Sequence, residues 1–224
     1  MTPAARKLIL TTAAIGAAAL FSACGAQTQT QAVSSPAPVI HTQTAAMPDD
    51  SDLVLIKDYI PSICAELKYA SADNFTGTAI YDFTQPSLRY GTVKKLAAVQ
   101  SALNEQGLSL KIWDAYRPVS AQYKLWSICP DPRYVADPAN GGSKHCRGNT
   151  VDLTIIDKDG AELEMPSDFD DFSAKADRDY SDVSTKAAEN ARLLERLMTD
   201  NGFVGYQQEW WHFYDSNDYP VIDE

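Results

Sequence analysis

Histidine is scarce in this chain: three residues in 224, His41, His145 and His212. There is no H-E-x-x-H, so any histidine-based metal site takes its ligands at another spacing. Cations are the minority charge, 19 Lys and Arg against 30 Asp and Glu for a formal net charge of −11. That argues against binding to a nucleic-acid backbone, which needs clustered Lys and Arg. The acidity reads most simply as a solvated surface and says little about a substrate. Internal repeats are absent. Four cysteines leave room for little cross-linking, whereas 45% hydrophobic residues with 10% aromatics are ample for the core of one ordinary domain plus extras.

The first 23 residues have the layout of a secretory signal, with Arg6 and Lys7, an apolar run from Leu8 to Phe21, and small residues up to Cys24. Leu20-Phe21-Ser22-Ala23-Cys24 resembles a bacterial lipobox, with Phe21 where leucine is usual, and implies that Cys24 carries lipid. The blander alternatives are a plain cleaved signal or an uncleaved anchor. Removing Arg6 and Lys7 takes the charge from −11 to −13. Residues 24–51, rich in Gln, Thr, Ala and Pro, cannot bury enough to order themselves and read as a tether, with His41 an ordinary solvated side chain. The layout predicts an exported, membrane-anchored lipoprotein facing the periplasm or cell exterior, with its folded domain over 52–224. In that oxidising setting Cys129 and Cys146 bracket a loop that a bridge would tie down, with Cys64 left over; the alternative is three buried reduced thiols.

Leu53–Ile56 is a run of strand length. Leu96, Val99 and Leu103 recur at helical spacing between Thr92 and Gln106, with Gly107 as a stop. Leu108, Leu110 and Ile112 alternate with Ser109, Lys111 and Trp113 as in a half-buried strand ending in the turn Asp114-Ala115-Tyr116-Arg117-Pro118. A short helix over Val119–Trp126 and a long loop over Pro130–Gly142 follow. Val151–Ile156 reads as a strand with Asp152 inside it, costly unless the acid is paired. Thr185–Asp200 is the clearest helix, with Ala187, Ala191, Leu194 and Met198 on one face, and Phe203–Phe213 is an aromatic strand or strand pair.

The two remaining histidines sit beside acids, in Ser143-Lys144-His145-Cys146-Arg147-Gly148-Asn149-Thr150-Val151-Asp152 and in Glu209-Trp210-Trp211-His212-Phe213. His145, Asp152 and His212 supply the three N and O ligands of a catalytic zinc, leaving a position for water. Such a metal lowers the pKa of water towards neutrality. Glu209 is then a candidate base and Arg117, fixed in charge, a candidate partner for an oxyanion. Strict strand geometry would send positions 209 and 212 to opposite faces, so a turn or bulge at Trp210-Trp211 is required. The plain alternatives stand beside this: a hydrogen-bonded core histidine, a chance E-x-x-H, and a surface arginine before proline.

S-K-H-C-R-G-N-T-V-D and E-W-W-H-F resemble the signatures of the zinc D-Ala-D-Ala peptidases, and the Trp-Trp-His-Phe form is similar to their dipeptidase branch. Further matches run through L-K-Y-A-S-A-D-N-F-T-G from Leu67, W-D-A-Y-R-P from Trp113 and M-P-S-D-F-D-D-F from Met165. Departures are Cys146 for serine and Pro166 for glycine. The resemblance implies an α+β domain with a small antiparallel sheet and flanking helices around one zinc ion, as in the D,D-peptidases and hedgehog domains. It implies His145, Asp152 and His212 as zinc ligands, Glu209 as base and Arg117 as transition-state stabiliser. Tyr69, Ser143 and Asp170 would hold the substrate dipeptide D-Ala-D-Ala, with Asp170 facing its free ammonium. A D,D-carboxypeptidase acting on peptidoglycan stems, and a zinc-bearing binding module without catalysis, are the alternatives.

Overall fold

A computed structural model describes residues 46–222. The expected signal segment, Cys24, His41 and most of the expected tether lie outside the described residues. At the tether's end, the Asp50 carbonyl accepts from Gly91 N–H at 3.0 Å and the Ser51 carbonyl from Arg89 Nη1 at 2.5 Å. Among the described residues no helix is long and apolar enough to cross a membrane.

The elements follow in the order β1 (Leu53–Leu55), α1 (Ile56–Tyr59), β2 (Cys64–Ala65), β3 (Ser87–Arg89), α2 (Tyr90–Asn104), β4 (Ser109–Asp114), α3 (Val119–Ile128), β5 (Thr150–Ile156), α4 (Thr185–Asp200), β6 (Phe203–Tyr206) and β7 (Glu209–Asp215). β1 and β3 form a separate antiparallel pair, and the main sheet has five strands in the order β2-β4-β5-β7-β6. It is antiparallel except at its edge, where β2 runs parallel to β4. The architecture is the expected α+β one.

α2 and α4 pack on each other and on the sheet. The predicted stripes are the buried ones: Leu96, Val99 and Leu103 on α2, and Ala187, Ala191, Leu194 and Met198 on α4. α4 begins at residue 185 because Ser184 Oγ accepts from the Ala187 N–H at 3.0 Å, satisfying a donor that the helix leaves open. Along β5, Val151, Leu153 and Ile155 alternate with Thr150, Asp152 and Thr154, yet every residue is buried. Both faces of this strand are covered, so Asp152 sits where only a partner can offset its desolvation.

Cys64 and Cys129 are free thiols, so the Cys129–Cys146 bridge weighed above is not formed. Cys129 caps α3, half-buried, whereas Cys146 is buried within a 3-10 turn.

Candidate active site

Two irregularities in the sheet build the site. Opposing residues in an antiparallel pair share a face, so the partners Leu110↔Ile155 and Ile112↔Leu153 define the apolar one. By strict alternation Asp114 would point there too. The register slips by one residue at Trp113, placing Asp114 opposite Asp152. Asp152 in turn faces His212 on β7. Asp114, Asp152 and His212 thus form a row across three strands on one face.

The second irregularity is the bulge required between Glu209 and His212. β6 and β7 pair as Gly205↔Phe213 and then Tyr206↔Glu209, so residues 210–212 stand opposite a single step of β6. The extra residues turn Glu209 back to the side of His212, and its Oε2 lies 3.5 Å from His212 Nδ1.

His145 reaches the row from a 3-10 turn over Lys144–Arg147. Ser143 Oγ caps that turn by accepting from the His145 N–H at 3.2 Å. Gly148 ends it at φ +71, where a Cβ would meet Leu53 and Ile222 at 3.2 Å. Only glycine takes that conformation in that space without displacement. His145 Nδ1 donates to the Ala115 carbonyl at 2.7 Å, which leaves Nε2 as the lone-pair nitrogen.

His145 Nε2, His212 Nδ1 and the Asp152 carboxylate lie within 4.8 Å of one another. Nε2 of His145 is 3.3 Å from Asp152 Oδ2, and Nδ1 of His212 is 3.0 Å from Oδ1. Oδ1 is nevertheless buried without a hydrogen-bond partner. Three electron-pair donors around one point, one of them a buried orphan, fit a cation of zinc's coordination preference. Burial opposes charge on Asp152, but the imidazoles of His145 and His212 hold its carboxyl below the usual range.

Around this centre lies a cavity of about 240 Å³, lined among others by Tyr69, Arg117, Ser143, Asp170, Tyr206 and Glu209. Each metal, catalytic and substrate-binding residue expected from the sequence lines it. Burial pushes the Glu209 carboxyl up to about 7, against the pull of His212. Asp170, at a left-handed φ of 56, accepts from Tyr69 Oη at 2.8 Å. Burial raises its carboxyl to about 7, which the Tyr69 hydroxyl counteracts and the charge of Asp152 reinforces. A larger groove of about 960 Å³ shares only Asp170 with this cavity and contains none of the converging ligands.

Arg117 is buried and tied down. Its Nη2 donates to Asp114 Oδ2 at 2.6 Å and its Nη1 to Gln122 Oε1 at 2.8 Å. Burial disfavours its charge, but Asp114 and the Tyr81 and Tyr69 hydroxyls keep it ionised. Tyr81 Oη donates to Asp114 Oδ1 at 2.7 Å. The sequence pattern does not single out Asp114, Tyr81 or Gln122, and Asp114 reads there as a turn residue. The signal was present: an acid at the end of an apolar strand, like Asp152, needs a partner.

The D-ala-D-ala dipeptidase family model matches residues 49–223. The D-alanyl-D-alanine dipeptidase of Escherichia coli (strain K12) is 43% identical over 167 residues, covering 75% of this chain and 86% of that protein. The D-alanyl-D-alanine dipeptidase of Enterococcus faecalis is 29% identical over 200 residues, 78% of this chain and 94% of that protein. That of Enterococcus faecium is 30% identical over 172 residues, 66% of this chain and 83% of that protein.

Proposed function

We propose, from the premise that the chain belongs to the D-ala-D-ala dipeptidase family, that it is a zinc peptidase hydrolysing the dipeptide D-Ala-D-Ala to free D-alanine. The observation that carries this is the meeting of His145, Asp152 and His212 within 4.8 Å beside Glu209, in a cavity that also holds Asp170. Zinc held by His145, Asp152 and His212 would supply Lewis acidity to the scissile carbonyl and to the attacking water. Glu209 accepts a proton from that water and returns it to the departing amine, roles suited to a carboxyl pushed up to about 7. Arg117, held in place by Asp114 and Gln122, stabilises the charge that develops on the carbonyl oxygen. Asp170, oriented by Tyr69, pairs with the dipeptide's ammonium. An acylated peptide has no ammonium and leaves that charge unpaired, which selects for the dipeptide. Ser143 contributes a substrate contact beside His145.

The reading extends to location: an exported protein held on a membrane by lipid on Cys24 and releasing D-alanine for salvage during wall turnover. It is supported by the signal-like layout of residues 1–23 and by Leu20-Phe21-Ser22-Ala23-Cys24. Metabolic labelling with a fatty acid should mark the wild type and not Cys24→Ala. Growth on D-Ala-D-Ala unchanged by deleting the protein would remove the salvage role.

The enzymatic test compares D-alanine release from D-Ala-D-Ala and from an N-acylated analogue, with Glu209→Ala as control. Release from the dipeptide alone is expected. Cleavage of the acylated peptide alone would make the protein a carboxypeptidase, and a full zinc complement without hydrolysis would make it a binding module.

A further inference from the structure

The bulge that brings Glu209 and His212 together removes residues 210–212 from their pairing with β6. Backbone carbonyls freed beside the buried Trp210 and Trp211 need donors from elsewhere. One side chain provides them. Arg178, in the segment before α4, donates Nη2 to the carbonyls of Trp210 at 3.1 Å and His212 at 2.9 Å, and Nε to that of Tyr206 at 2.8 Å. Its own N–H bonds to the Gln207 carbonyl at 3.1 Å, so the turn between the two strands is held as well.

The guanidinium is fitted to this place. Its side chain is 4% exposed, with Nη1 3.8 Å from Glu195 and Cζ 4.2 Å from the centre of the Phe213 ring. Opposite it stands Gly205, where a Cβ would lie 2.5 Å from Arg178 Cζ and 2.7 Å from Nε. A planar fork with fixed donor directions meets several carbonyls at once, whereas a lysine ammonium on a flexible stem would not hold the same geometry.

We propose that Arg178 is a positioning residue for the reaction: through the backbone of residues 206–212 it holds the Glu209 carboxylate and the His212 imidazole on one side of the sheet. It touches neither substrate nor metal. The inference rests on the roles given above to Glu209 and His212. A purely structural role would lower the melting temperature of Arg178 variants and leave the folded protein's zinc affinity and kcat alone.

The test uses the full chain with Arg178→Met, Arg178→Lys and Gly205→Ala, each studied well below its melting temperature. Zinc affinity is read by chelator competition, and kcat and KM for D-Ala-D-Ala are measured separately. Arg178→Met should lose roughly ten- to a hundredfold in zinc affinity and in kcat, the range for groups that orient metal ligands, with KM much less affected. Arg178→Lys should recover part of both. Gly205→Ala, which displaces the guanidinium without removing it, should move both in the same direction as Arg178→Met. Folded variants with wild-type zinc affinity and kcat overturn the proposal, and if Arg178→Met does not fold the other two decide in the same way. A wild type that binds no zinc and releases no D-alanine overturns instead the reading on which the proposal rests.

Discussion

The site has two halves built on different principles. Asp114, Asp152 and His212 lie in one row across β4, β5 and β7, each held by strand pairing as well as by its own bonds. Asp170, Tyr69 and the aromatic residues around them come from irregular segments. Asp170 takes a left-handed φ, Tyr69 belongs to a 3-10 turn, and two loops meet through Tyr134 and Phe172, whose ring centres are 4.3 Å apart. Two of the three ligands, Asp152 and His212, lie on the rigid half, and the third, His145, comes from a capped 3-10 turn, because a metal tolerates little error in donor placement, while substrate contacts on loops can change without disturbing the chemistry.

Breaking the metal site, the strand half together with His145, should have the largest effect. Replacing His145 or Asp152 by alanine is expected to abolish zinc binding, measured by elemental analysis, and to reduce D-alanine release at least as much as losing the base. Glu209→Gln should keep its zinc and lose about 10²–10⁴ in kcat. Next comes Asp114→Ala, which strands the Arg117 cation in a buried place. Urea unfolding should show a loss of about 3–5 kcal/mol, the usual cost of removing one partner of a buried pair.

Changes in the loop half should be smaller and selective. Asp170→Asn should keep fold and zinc but weaken dipeptide binding roughly ten- to a hundredfold, the worth of a hydrogen-bonded charge. With its carboxyl pushed up to about 7, wild-type binding of the dipeptide's ammonium should weaken as pH falls through 7, and the asparagine variant should lose that dependence. The linkage to stability has the opposite sense. The folded carboxyl holds its proton more tightly than the unfolded one, so its contribution is full below the unfolded value and lost as pH rises through about 7. Asp170→Asn should therefore gain most in thermal stability, relative to wild type, above that pH. Phe172→Ala is the mildest change, costing about 0.5–1.5 kcal/mol for a lost aromatic pair and detectable as a small drop in melting temperature.

The same division governs what could be read from the sequence. α4 is legible from end to end because apolar period, cap and stop agree over Thr185–Asp200. The bulge before His212 is legible by contradiction, since residues 209 and 212 can share a face only if the strand breaks its period. The slip at Trp113 is not, because pattern alone does not reveal a one-residue register change that depends on the partner strand. Asp114 therefore reads as part of a turn in the sequence, although it ends β4. Arg178 leaves no trace either: its partners are backbone carbonyls, which every residue has. β2, with two residues, is too short to carry a period.

The proposed chemistry depends on a metal binding where His145 completes the row across β4, β5 and β7. Anomalous X-ray scattering at the zinc edge, from crystals of the zinc-loaded protein, tests it most directly. One peak per chain is expected, in bonding contact with His145 Nε2, His212 Nδ1 and the Asp152 carboxylate. A peak elsewhere, or one that leaves Asp152 unbound, would contradict it.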